Sequence, residues 1–457
     1  MKKKVIIGIA SILVVISGCL FAMFNSGNRS YEVITNETEK KKMNTNALTM
    51  MYETEAGSGE YTESSDNTWP LEGYVFNERL SACENGSALT WDDTTKRVIV
   101  EANTVEKCYI YFDVEKPTLA STIEDLYTVD GENGLYYHDG IGDYTNANQE
   151  ARDNSYRFSG ANPNNYVCFG PGAESEGTCA NDNLYRIIGL FDDDKDGNYQ
   201  IKLIKSDYTT SAMLGTDGRD YNGSYSANTS NYKGSMDTST IAAYRWNYDD
   251  SVSAYGSNNW TTSEFNTINL NTNYWNYLGT TWQNLIVETT WHLGGMTSAY
   301  NTAKAFYDGE RNNAGYGSNP TTYNDEVGLM YPSDYGYAAS PEAWTTNLGS
   351  YYNSTITSNN WMYMGLTEWP IIPDSSISHF VFNVSINGSL NYSNANFGNS
   401  ARPVFYLESN VALQGGSGTS SDPFRLAVWE PLSLRRRLLI RPEAASYQQK
   451  NKEKNIW

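Results

Sequence analysis

The chain has 457 residues, a net charge of −21 and 14% aromatic residues, 36 of them tyrosine. Its length fits two or three domains. The acidic balance leaves no clustered Lys/Arg surface for phosphates and excludes nucleic acid as a partner. So many rings exclude disorder throughout. The wealth of Asn, Ser, Thr, Gly and Tyr resembles an exported β-rich protein. The three dispersed histidines, His138, His292 and His379, give no His-rich metal motif.

Lys2, Lys3 and Lys4 precede an apolar run from Val5 to Phe24, the pattern of a secretory targeting signal. As a helix the run is about 30 Å long, enough to span a bilayer. No small-x-small cleavage site follows it, so the first reading is an uncleaved anchor with the lysines inside. Ile16-Ser17-Gly18-Cys19 also reads as a lipobox with Cys19 acylated, followed by apolar Leu20–Phe24 where a polar tether is expected. Plain cleavage is the third reading. All three place the remaining chain outside the cytoplasm, as a single-pass membrane protein, a lipoprotein or a secreted protein.

Residues 25–65 are polar and read as a flexible tether. Residues 66–115 read as a small β module. Leu89-Thr90-Trp91 and Arg97-Val98-Ile99-Val100 flank a polar turn as a hairpin, and Lys107–Phe112 is a further strand. In the large segment 116–426, Leu184–Phe191 and Tyr199–Lys205 read as paired strands, the second alternating as if one face were wet. Ser340-Pro341-Glu342 and Thr302–Tyr307 read as helix starts. Ala401–Leu407 and Asp422–Leu426 read as late strands. Residues 427–457 carry seven Lys/Arg against three Glu and read as a basic non-domain tail.

Apart from Cys19, the cysteines are Cys83, Cys108, Cys168 and Cys179. An even number in an exported chain predicts disulfides. Of three pairings, Cys83–Cys108 with Cys168–Cys179 is favoured, because each pair is local. Neither pair has the Cys-x-x-Cys spacing of a zinc site.

Asn165–Gly170, Asn183–Gly189, Leu203–Tyr208, Gly328–Tyr331, Ser333–Ala338, Asn360–Gly365 and Ala401–Leu407 together resemble a group of cell-surface proteins from gut Firmicutes and related wall-poor bacteria. The late Trp…Ala-Arg-Pro-Val-Phe-Tyr-Leu arrangement resembles the end of C-type-lectin-like domains related to formylglycine-generating enzymes. That resemblance implies a mixed domain with long irregular loops around a small twisted sheet. The enzymes' late cysteine pair is missing, since no Cys follows Cys179. The expected fold class is therefore α+β: a membrane-anchor helix in 1–24, the tether, the disulfide-bonded β module and a large lectin-like domain.

No H-E-x-x-H, G-x-S-x-G or phosphate-loop motif is present, and no enzyme is expected. Asp192, Asp194 and Asp196 stand at alternating positions before Gly197, as in a calcium loop, but position 12 is Leu203 rather than Glu. A plain turn between two strands is the competing reading. Calcium is the one cofactor the sequence offers, and otherwise none is expected. Rings beside amides and carboxylates suit sugars, and Trp361, Tyr363, Glu368 and Trp369 are the expected ligand surface. The expected function is an extracellular bacterial surface protein that binds glycan or a host or neighbouring-cell protein. The alternatives are a cell-envelope hydrolase of polysaccharide and a purely structural surface protein.

Overall fold

Cys108, Ile110 and Phe112 are buried while Tyr109 and Tyr111, between them, are partly exposed. That period of two makes Cys108–Val114 a strand with one face in a core. The computed structural model describes residues 32–34, 48–55, 58–64, 73–92, 95–101, 107–141, 147–174, 178–192, 197–312 and 314–428. The chain divides into two units between Lys116 and Pro117.

In the first unit, β1 (Glu32–Ile34), β6 (Ala88–Asp92) and β7 (Arg97–Glu101) form one sheet. The strands β2 (Leu48–Glu53), β3 (Tyr61–Ser64), β4 (Tyr74–Phe76), β5 (Ala82–Cys83) and β8 (Cys108–Val114) form another. The expected hairpin is β6–β7, with Trp91 opposite Val98. The 25–65 tether is corrected. Leu48, Met50 and Tyr52 are buried, and β2 lies between β3 and a parallel partner, β8. Four apolar side chains within six residues suffice for a central strand even between polar stretches. Tyr52 stacks on Phe112 at 5.3 Å, and a disulfide joins Cys83 on β5 to Cys108 on β8.

The second unit is built on a ten-stranded sheet. Its strands are β9 (Leu135–Tyr137), β10 (Tyr156–Phe158), β11 (Tyr166–Cys168), β12 (Leu184–Phe191) and β13 (Gln200–Lys205). The later ones are β16 (Ile286–Val287), β19 (Val327–Gly328), β22 (Val404–Leu407), β23 (Leu413–Gly415) and β24 (Phe424–Leu426). The central order is β16-β22-β13-β12-β11-β24-β23. β12 and β13 pair as the sequence predicts, Ile187 opposite Leu203, with a bulge before Gly189. A Cβ at Gly189 would stand 2.1 Å from the Tyr156 carbonyl, so only glycine lets β10 approach there. The wet face expected for Tyr199–Lys205 is corrected: Lys202 and Lys205 are fully buried, because structure covers the sheet on both faces.

The long connections add antiparallel pairs. These are β14 (Tyr221–Ser224) with β15 (Ala242–Tyr244), β17 (Thr289–His292) with β18 (Thr322–Asp325), and β20 (Phe380–Val384) with β21 (Leu390–Asn394). The Thr302 signal becomes the helix Ala303–Asn312, whereas Pro341–Ala343 is only a single tight turn. Trp246, Trp260, Trp282, Trp291, Trp344 and Trp369 fill the core.

The expected α+β plan with a membrane-anchor helix is corrected. The described chain is mixed α/β, strands outweighing helices, with two disulfides. No helix among the described residues is long and apolar enough to cross a membrane. Within those residues the apolar runs are short and go to strands, while Asn, Ser and Gly keep the helices brief. Residues 5–24, Cys19 and the tail beyond Val428 lie outside the described residues.

Candidate functional site

The four residues expected to form a ligand surface are core residues. Trp361, Tyr363, Glu368 and Trp369 are at most 6% exposed. Trp361 Nε1 donates to the Phe158 carbonyl at 2.8 Å and Trp369 Nε1 to the Tyr244 carbonyl at 2.7 Å. Tyr363 donates to the Ile386 carbonyl. Glu368 accepts from Arg402 Nε at 2.7 Å and Nη2 at 2.9 Å. The correction has one cause. A large irregular domain buries its amphipathic rings and satisfies their polar ends on the backbone.

Asp192 Oδ2 accepts from the Gly197 N–H at 3.3 Å, the bond of a turn between β12 and β13. Asp194 and Asp196 lie outside the described residues, among which no three His, Cys, Asp or Glu side chains could hold a metal ion. The Cys168–Cys179 disulfide ties β11 to the segment leading into β12.

Some of the rings that do reach solvent collect elsewhere, whereas Tyr300 and Tyr352 stand apart from them. Tyr255 is 53% exposed, Tyr392 43% and Phe397 53%. Tyr255 lies 5.1 Å from the His379 ring, His379 lies 4.9 Å from Phe380, and Phe380 stacks on Tyr392 at 5.1 Å. This aromatic strip is held from both ends. The β20–β21 pairing sets Phe380 opposite Asn394 and Phe382 opposite Tyr392. The Asn396 backbone N–H donates to the Tyr255 carbonyl and its amide to the Ala254 carbonyl, and the Ala395 N–H donates to His379. The strip is thus a rigid surface although Tyr255 stands in a loop. Asn394 lies on the same strand face as Tyr392, opposite Phe380, and places an amide along the margin of the strip. Ring faces beside amides suit a ligand with an apolar face and a hydroxyl rim.

A polar groove of about 720 Å³ lies apart in sequence, lined by Asn181, Asp182, Ser211, Met236, Asp237 and Ser239 among others. It has two carboxylates and several hydroxyls but no aromatic ring. Asp237 accepts from the Ser239 N–H, which holds its carboxyl below the usual range. Two carboxyls are pushed up to about 7. Burial does so for Glu310, and burial together with Glu326 for Asp325. Glu310 is inside the core and Asp325 ends β18, so neither belongs to the strip.

Sequence reasoning missed the strip because composition does not say which rings remain outside. One signal was present: Phe380–Val384 and Leu390–Asn394 flank Asn387-Gly388, a hairpin turn pair. Compared with family models, curated proteins and solved structures, the chain matches none.

Proposed function

We propose that the chain is an exported, non-catalytic binding protein that holds a glycan on the strip of Tyr255, His379, Phe380 and Tyr392. The exposed, fixed rings carry this reading. Phenol faces stack on the apolar face of a pyranose, and Asn394 bonds its hydroxyls. The two disulfides support a place in an oxidising compartment, where such bonds persist. Rigid rings lose little side-chain entropy on binding, which favours a weak, repeated contact with a polymer.

A glycan array and a screen for released sugar, both on the purified chain, test the proposal. The expected result is polysaccharide binding with no turnover. Sugar release would move the reading to a hydrolase, and silence in both assays would leave a structural surface protein.

A further inference from the structure

Lys202 and Asp334 meet inside the second unit. Lys202 lies on β13 opposite Tyr406 of β22, and Asp334 lies on the short helix Pro332–Tyr337. Their side chains are 1% and 2% exposed, and Lys202 Nζ stands 2.6 Å from Asp334 Oδ2. The amine sits in an aromatic cage, 4.3 Å from the Tyr331 ring, 5.2 Å from Tyr406, 5.4 Å from Phe191 and 5.8 Å from Trp291. Two further donors polarise the carboxyl. The Tyr331 N–H donates to Oδ2 at 2.9 Å and Arg157 Nη1 to Oδ1 at 3.5 Å. A second carboxyl lies one residue away: Glu310, 1% exposed, accepts from the N–H and hydroxyl of Ser333, the residue before Asp334.

We propose that Lys202 and Asp334 condense into an intramolecular amide, a covalent staple across the domain core. Nζ attacks Asp334 Cγ and the Nζ–Cγ bond forms. One Cγ–Oδ bond breaks, and that oxygen leaves as water with protons from the amine. Ammonium and carboxylate become amide and water, so no oxidant, reductant or further reactant is needed. The Tyr331 N–H and Arg157 stabilise the oxyanion of the tetrahedral intermediate.

Three physical effects favour the step. Fixing amine and carboxyl in contact gives effective concentrations of roughly 10⁵ M or more, which offsets the dilution by water that normally opposes condensation. Burial pushes the Lys202 amine down from its usual range, a shift toward the nucleophilic neutral form. Forming the amide also removes two buried charges, each costly to keep from water. The bond would span 132 residues of sequence, whereas the disulfides span 25 and 11.

The test is mass spectrometry of the full chain after reduction, denaturation and trypsin digestion. The expected result is one branched peptide joining Lys202 to Asp334, lighter by one water than its two parts, with no cleavage after Lys202. Recovery of the two peptides separately, at full mass, would overturn the proposal whatever the stability of any variant. Lys202→Met and Asp334→Ala should each restore the full mass.

Discussion

Replacing Glu368 by alanine separates a structural from a ligand-binding role for this carboxylate. Glu368 and Arg402 are both buried, and the guanidinium gives the carboxylate two charge-assisted bonds of 2.7 and 2.9 Å. A third bond runs from Arg402 Nη2 to the Met362 carbonyl at 2.7 Å, while Nη1 has no hydrogen-bond partner among the described residues. Glu368→Ala therefore leaves a full positive charge in the core with one carbonyl for company. Such a break costs about 3–5 kcal/mol, a large part of the roughly 5–15 kcal/mol that holds a domain together. Replacing both partners by methionine removes the unpaired charge and should return stability to within about 2 kcal/mol of the parent. Urea unfolding followed by tryptophan fluorescence measures both, since Trp361 and Trp369 lie in the same core. A loss below about 1 kcal/mol for Glu368→Ala, or a double variant less stable than either single one, would refute the reasoning.

Cys83→Ser with Cys108→Ser should destabilise the first unit by about 3 kcal/mol, read by thermal unfolding with and without reductant. Gly189→Ala should cost at least about 2 kcal/mol in urea unfolding, because its new methyl meets the Tyr156 carbonyl. Glu310 provides a pH signature. Its folded carboxyl titrates at about 7 against an ordinary 4.5, so between these values the native state holds the extra proton. Stability is then fully present below the lower value and declines as pH rises through the upper one, by about 3 kcal/mol. Glu310→Gln should flatten that decline in unfolding measured on either side of the window, and an unchanged slope would count against it.

Much of the sheet was legible because its strands are long enough to show a period. Leu184–Phe191, Gln200–Lys205 and Cys108–Val114 bear β-branched and aromatic residues between turn formers, and local cysteine spacing favours the two disulfides found. The strand Leu48–Glu53 was hidden, since its apolar stretch is brief and its parallel partner lies some sixty residues away. Lys202 of β13 was read as part of a wet face because alternation cannot tell solvent from a paired charge inside the protein. For the same reason Trp361 and Trp369 looked like ligand rings. What separates them from Tyr255 and Tyr392 is burial set by long-range packing, which no local pattern encodes.

The most direct measurement is the affinity of the chain for an array-identified polysaccharide, compared with that of Tyr255→Ala/Tyr392→Ala. Both rings are half-exposed, so unfolding should change by less than about 1 kcal/mol. Two lost stacking contacts should weaken binding by about 10- to 100-fold. Unaltered affinity in a variant of unaltered stability would contradict the placement of the ligand on this strip.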